Sequence, residues 1–389
     1  MPKSATNILL GLAILMLAGL LWSRAILSIS MGLMAVYALY YLIKEKATLI
    51  TPLFIWCLCP LLLMFMGIYQ EGLNPSNLQS LLGILVYPVA GITAIAAEKY
   101  SFTKTISQPW IHAALIALLY PLGWFAFHTV EAVELYGKGK TLPVFMDTDH
   151  VRFSIFLCSA LLFTLLPVNN ARYKKISFTI LLMAILLLAV RTGWVIAAII
   201  IIGYGLYYLK SKPARNPHPV RNILMAIIAL ITILAITPTI QQKIRYSLYD
   251  WNTYNTKGYD STYSDGVRRA MNSVAWKAIS EDHANAIGWS AIPSTIQQKF
   301  TQVFKGQTTQ YGWPFNQWLF WWMGSGWWGM LLFSLWLFYP AWYGYQHKNP
   351  YLIIWTLAIA FSCLVETTIN YQYGALLHVW PLLVCWNKK

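Results

Sequence analysis

The sequence predicts an all-α, polytopic membrane protein with about twelve transmembrane helices and one long outer loop, and three observations carry that prediction. Of 389 residues, 58% are hydrophobic and only 11% are charged, where soluble domains carry about 25% charged residues. The apolar residues gather into runs of about 20, the length that a bilayer core of roughly 30 Å demands of a helix. The basic residues collect on alternate connections between these runs.

The apolar segments fall near 7–22, 25–43, 49–68, 79–97, 110–127, 152–167, 176–190, 193–209, 222–240, 327–345, 351–368 and 371–386. With the N-terminus inside, the inner connections hold more than half of the 28 Lys and Arg. The short outer connection 69–78 has none, and 128–151 has only Lys138 and Lys140. This positive-inside bias places both termini in the cytoplasm. The net charge of +15 is therefore mostly topogenic, and no nucleic-acid partner is expected. Lys3 followed by NILLGLAILMLAGLLW has the outline of a signal peptide but no small-x-small cleavage site, so a retained first span is expected. The chain divides into helices 1–9 at 1–240, an outer loop at 241–326 and helices 10–12 at 327–389, together one integrated membrane domain.

Several chemistries lack their motifs. The cysteines (Cys57, Cys59, Cys158, Cys363, Cys385) all fall inside apolar segments and read as small core residues. No His/Cys cluster has zinc spacing, and there is no Gly-rich phosphate loop or G-x-S-x-G elbow. No metal and no cofactor are expected.

The loop at 241–326 opens with QQKIRYSLYDWNTYNTKGYDSTYSDG, which reads as an extended surface segment. Val267 to Glu281 then places Ala270, Val274, Ala275, Ala278 and Ile279 at helical spacing, with Asp265 as the expected N-cap. Arg268 and Arg269 lie in the first turn, against the helix dipole, so an anion near this helix start is expected to offset them. The loop ends in WPFNQWLFWWMGSGWWG, with six tryptophans in seventeen residues. Pro314 suits a helix start, and a helix over 315–325 lying in or dipping into the outer interface follows from its indoles. Ser325-x-x-x-Gly329 permits tight packing as the next span begins. Beside that ledge, Trp313, Phe315, Asn316, Gln317 and Trp318 are candidates for a sugar or lipid groove.

Charges at apolar depth are costly and point to cavities or partners. Arg191 sits in LLMAILLLAVRTGWVIAAIIII with only Thr192 and Gly193 to turn with, and its guanidinium fork suits phosphate oxygens. The stretch DTDHVRFS, Asp147 to Ser154, brings His150 and Arg152 to the start of the sixth span, with Asp149 as a cap. Glu366, near the outer end of the eleventh span, calls for one of these arginines as its partner. All of these charges collect on the outer side, where they outline a mainly cationic cavity suited to a phosphate with a lipid tail.

In order and sidedness these features resemble the superfamily of O-antigen ligases and O-antigen polymerases of the bacterial envelope. AVRTGWVIA is similar to the family's span-end arginine segment, SDGVRRAM to its loop motif with Gly-x-Arg, and FNQWLFWWMGSGWWGMLLF to its His-Asn-x-x-Leu segment. DHVRFS resembles the sixth-span start of some branches. The resemblance implies a GT-C-like fold in the bacterial inner membrane with its long loop in the periplasm. It implies a metal-independent glycosyltransferase that moves a glycan from undecaprenyl diphosphate to an acceptor hydroxyl, of the lipid A core or another surface glycan. Arg191 and Arg268 would hold the diphosphate, with Arg269 and Arg152 close by. The family's histidine before the Asn is Phe315 here, which cannot take a proton. His150, Glu366 and Asp265 are the candidates to replace it, His150 first. A polymerase of the same superfamily and a transporter or flippase are the alternatives, together with a non-catalytic scaffold motivated by Phe315.

Overall fold

The computed structural model describes residues 3–46, 51–71, 83–99, 102–146, 149–167, 171–211, 238–281, 286–305 and 307–386. Everything regular among them is helical. The order is α1 (Lys3–Trp22), α2 (Arg24–Lys44), α3 (Pro52–Glu71), α4 (Val86–Lys99), α5 (Phe102–Ala117), α6 (Leu119–Phe127), α7 (Thr129–Gly137) and α8 (His150–Thr164). Then come α9 (Ala171–Leu187), α10 (Arg191–Ser211), α11 (Pro238–Lys257), α12 (Ser264–Glu281) and α13 (Ile292–Val303). Last are α14 (Gln317–Gln346), α15 (Pro350–Val365), a 3-10 turn (Thr368–Asn370) and α16 (Gln372–Trp386).

Among the described residues three helices are long and apolar enough to cross a membrane: Arg24–Lys44, Ile106–Phe127 and Arg191–Lys210. Shorter apolar helices, among them Asn7–Trp22, His150–Thr164 and Pro350–Val365, accompany them. Most of the expected ninth span, 222–240, lies outside the described residues, as do Asp147 and Thr148.

α8 and α16 form the centre. From Val151 to Thr164 and from Tyr373 to Trp386 every residue is buried, as befits helices that are apolar all round. α5, α9 and α10 pack around α8, and α10 and α14 both pack on α15. A Cβ on Gly193 would come within 2.8 Å of the Ser154 Cβ. The bare glycine thus lets the first turn of α10 press on the first turn of α8, which brings Arg191 and His150 to the same end of the bundle. The five cysteines are all free, and all but Cys59 are fully buried.

The loop at 241–326 departs from the sequence reading at its start. Gln241 to Lys257, expected as extended, continues α11. Its buried positions are Ile240, Lys243, Asp250 and Thr253, so the inward face is polar and apolar periodicity gives no sign of a helix. α12 buries Ala270, Val274, Ala275, Ala278 and Ile279 as expected, but it begins at Ser264 and Asp265 is not its cap. Asp250 does that work, accepting from the Asp265 amide at 2.8 Å and the Gly266 amide at 3.0 Å.

The tryptophan-rich stretch is a hinge. α14 begins at Gln317, capped by Asn316, so Pro314 precedes the helix instead of opening it. Gly326 then breaks it, with φ 72° and ψ −178°. In a straight helix Trp318 and Ser334 would be about 24 Å apart; here the Trp318 indole donates to Ser334 Oγ at 3.0 Å. The piece before Gly326 therefore folds back along the piece after it, with the Trp321 ring stacked on Phe333 at 5.1 Å. Expected at the interface, Trp321 is instead buried inside this fold-back, while Trp313, Trp327 and above all Trp328 stay exposed. The Met323 carbonyl, released by the break, accepts the Ile287 amide at 2.8 Å and the Gly288 amide at 3.1 Å.

Candidate functional site

Arg191 is the first residue of α10, directly after the tight turn at Leu188–Val190. Its guanidinium grips Asp265 with both terminal nitrogens, Nη2 at 2.5 Å, and Nη1 also donates to Ser247 Oγ at 2.9 Å. Asp265, in the first turn of α12, also faces Arg268 at 3.7 Å. Arg268 reaches across to Glu366 at 3.4 Å, at the end of α15. The result is a line of alternating charge, Arg191–Asp265–Arg268–Glu366, drawn from three helices. Arg268 is Glu366's basic partner, one of the arginines expected for it from the sequence. The Nε–H of Arg268 has no hydrogen-bond partner among the described residues.

Arg191, Arg268 and His150 border one hollow of about 420 Å³, walled by the Gly139–Pro143 loop, Thr192 and Ser264. A fourth group there was not singled out in the sequence. Lys243 of α11 also lines the hollow and is 5% exposed. Its ammonium donates to the carbonyls of Gly139 and Lys140. Burial pushes the Lys243 amine down to about 8, and Arg191 and Arg268 add to the effect while Asp265 opposes it. Burial likewise raises the Asp250 carboxyl, held back by the two amide hydrogen bonds it accepts. The first amides of α12 are already taken, by Asp250 and the Tyr263 carbonyl, so it is the cations Arg191, Lys243 and Arg268 that make the hollow favourable to anions.

The remaining candidates are placed elsewhere. Arg152 is buried and spent on its own chain: it pairs with Asp149, donates to the Thr367 carbonyl at 3.2 Å and the Thr368 carbonyl at 3.4 Å, and lies over the Tyr371 ring. It fixes the strap from Glu366 to Gln372 and does not border the hollow. Asp149 caps α8 as expected. Arg269 turns outward onto Trp251 and Tyr254 of α11.

Asn316 accepts from the Trp318 and Leu319 amides and donates to the Leu364 carbonyl at 3.1 Å. Gln317 is fully buried, donating to Asn370 Oδ1 at 2.5 Å and accepting from the Ile369 amide at 3.3 Å. Asn316 thus ties the hinge to the end of α15, and Gln317 ties it to the strap. Trp318 is packed within the fold-back, while Trp313 keeps 39% of its surface and donates to the Tyr371 hydroxyl at 3.2 Å. Phe315 places its ring 5.7 Å from the Arg268 guanidinium. Position 315, where the resembling family has histidine, thus lies against the charged line. Among the described residues no group of three or more His, Cys, Asp or Glu is placed to hold a metal ion.

Residues 176–334 match the family model described as O-antigen ligase. The matched stretch runs from α9 into α14, and contains Arg191, Lys243, Asp265, Arg268 and Phe315; His150, Arg152 and Glu366 lie outside it. For this stretch the match bears out the resemblance carried by its motifs; DHVRFS lies outside it. No curated protein matches the chain by sequence.

Proposed function

We propose that this chain transfers a glycan from undecaprenyl diphosphate to an acceptor hydroxyl at the periplasmic face of the bacterial inner membrane, in the manner of an O-antigen ligase. The topology that goes with this reading has about twelve spans, both termini in the cytoplasm and the 241–326 loop outside. The single observation that carries it is that Arg191 and Arg268, from separate helices, border one hollow and share one carboxylate.

Two guanidiniums and the Lys243 ammonium in a partly dry cavity suit a diphosphate in charge and in size. As the acceptor oxygen bonds to the anomeric carbon, the bond from that carbon to the diphosphate oxygen breaks. The departing group gains negative charge, and preorganised cations at that point lower the barrier most. In the free protein Asp265 occupies the Arg191 fork, and the arriving diphosphate displaces it. His150, at the edge of the same hollow, takes the acceptor proton, the role that Phe315 cannot fill. Trp313 and Phe315 offer aromatic surface to the sugar beside Arg268.

The test is chemical. Arg191→Ala and Arg268→Ala should each abolish glycan attachment in cells while the protein still inserts in the membrane. Lipid-linked intermediates extracted from a deletion strain should contain full-length polymer. Single repeat units left on the acceptor would mark a polymerase instead, and wild-type glycan in both alanine variants would remove the diphosphate role.

A further inference from the structure

A second hollow, of about 470 Å³, lies between the start of α2, the start of α4 and the strap. Arg24, Ser28 and Gln372 form its polar head, and Met31, Val86 and Val89 its apolar floor. It opens at the same end of the bundle as the Arg191 hollow. The turn that precedes Arg24 is tied there, since the Leu21 carbonyl accepts the Met146 amide at 3.0 Å. The two hollows also share the strap. Glu366 at its start pairs with Arg268, whereas Tyr371 to Tyr373 at its end form a wall of the second groove.

The chemistry of this groove is that of an amphiphile. Arg24 lies 5.2 Å from the Tyr373 ring, and Gln372 donates to Ser28 Oγ at 2.7 Å, so the polar head is fixed in place. Arg24 is the first residue of α2, where a cation opposes the helix dipole and a bound anion offsets that cost. From Arg24 the helix descends about 10 Å to Met31, so the floor runs on from the head along the direction in which an acyl chain would lie. A Cβ on Gly32, within this groove, would meet nothing within 4 Å.

We propose that this groove holds an acidic phospholipid of the outer leaflet, its phosphate at Arg24 and one acyl chain along Met31, Val86 and Val89. The assignment rests on the membrane topology proposed above and not on the transfer reaction. A lipid seated there braces the strap and, through Glu366, the position of Arg268.

The experiment is native mass spectrometry of the full chain taken from vesicles of equal phosphatidylglycerol and phosphatidylcholine. Wild type should retain phosphatidylglycerol preferentially. Arg24→Gln should weaken that preference roughly tenfold, the value of one charge-assisted hydrogen bond. Gly32→Phe, at a position where an added Cβ meets nothing within 4 Å, puts a ring into the groove and should displace both lipids from this site. Ile29→Phe, on a 60% exposed position of the same helix, should leave retention unchanged. Equal retention of both lipids by wild type would overturn the proposal. So would an unchanged preference in either groove variant, or an equal loss in Ile29→Phe. No glycan enters this readout, so its failure is distinguishable from failure of the transferase reading.

Discussion

Asp265 holds the guanidinium of Arg191 across 74 residues of sequence, and the same carboxylate faces Arg268 at 3.7 Å. It neutralises two cations that would otherwise repel across the hollow, and it stands where a phosphate oxygen would bind. Asp265→Asn therefore has two expected effects. Stability falls by about 1–2 kcal/mol, since charge-assisted hydrogen bonds are worth roughly 1.5–3 kcal/mol and this pair is partly exposed. Inorganic pyrophosphate should then raise the melting temperature of the variant more than that of wild type, because no carboxylate competes for the fork. Equal shifts in the two proteins would show that Asp265 is not displaced by the ligand.

Lys243 gives the site a pH dependence of definite sign. Its amine ionises at about 8 in the folded chain and near the ordinary 10.5 when unfolded. Between those values the unfolded chain binds more protons, so Lys243 makes stability rise with pH across that window and adds nothing to the slope below it. Donor binding runs the opposite way, because the ammonium that faces the diphosphate is lost as pH rises through about 8. The KM for the lipid-linked donor should thus climb above that pH. Lys243→Gln should raise KM roughly tenfold at neutral pH and flatten the profile. Lys243→Arg should keep the affinity and lose the inflection, and a retained inflection would assign the titration to another group.

The residues that were legible in the sequence are those whose placement is costly without a site. Arg191 between long apolar runs and Arg268 against a helix dipole both announce an anion, and both border the hollow. Lys243 gave no such signal. It lies in a segment rich in Tyr, Asn and Asp, and the buried face of its helix is itself polar through Asp250 and Thr253. Arg152, Asn316 and Gln317 misled for the converse reason. Their side chains look like ligands-in-waiting, but they are used up by groups far along the chain, the Leu364, Thr367 and Thr368 carbonyls, the Ile369 amide and the Asn370 side chain. Such pairings are set by packing, and no local pattern encodes them. The fold-back that buries Trp321 follows from the backbone angles of one residue, Gly326.

Removal of His150 separates the two histidine questions. His150→Gln should lower kcat about 10²–10⁴-fold with little change in donor KM, the usual scale for a lost acid–base group. Phe315→His alone should change kcat little while His150 is present. In the double variant it should recover part of the loss, since the ring at 315 lies beside Arg268. A large gain from Phe315→His in the wild-type background would instead identify 315 as the position of the missing base.

Gly326 is the last point at which a single atom decides the architecture. Its φ of 72° with ψ near −178° belongs to a region open essentially to glycine alone. Gly326→Ala should cost roughly 1–3 kcal/mol if the hinge is kept. The chain can avoid that cost only by straightening, which would pull Trp318 from Ser334 and Trp321 from Phe333. Either result moves Asn316 and Gln317, which anchor the end of α15 and the strap carrying Glu366, and so reaches Arg268. The expected outcome is a lower melting temperature together with a higher donor KM. Gly123→Ala, where a Cβ meets nothing within 4 Å, should leave both unchanged. A Gly326→Ala protein with wild-type stability and wild-type KM would mean that the fold-back is not needed to position the site.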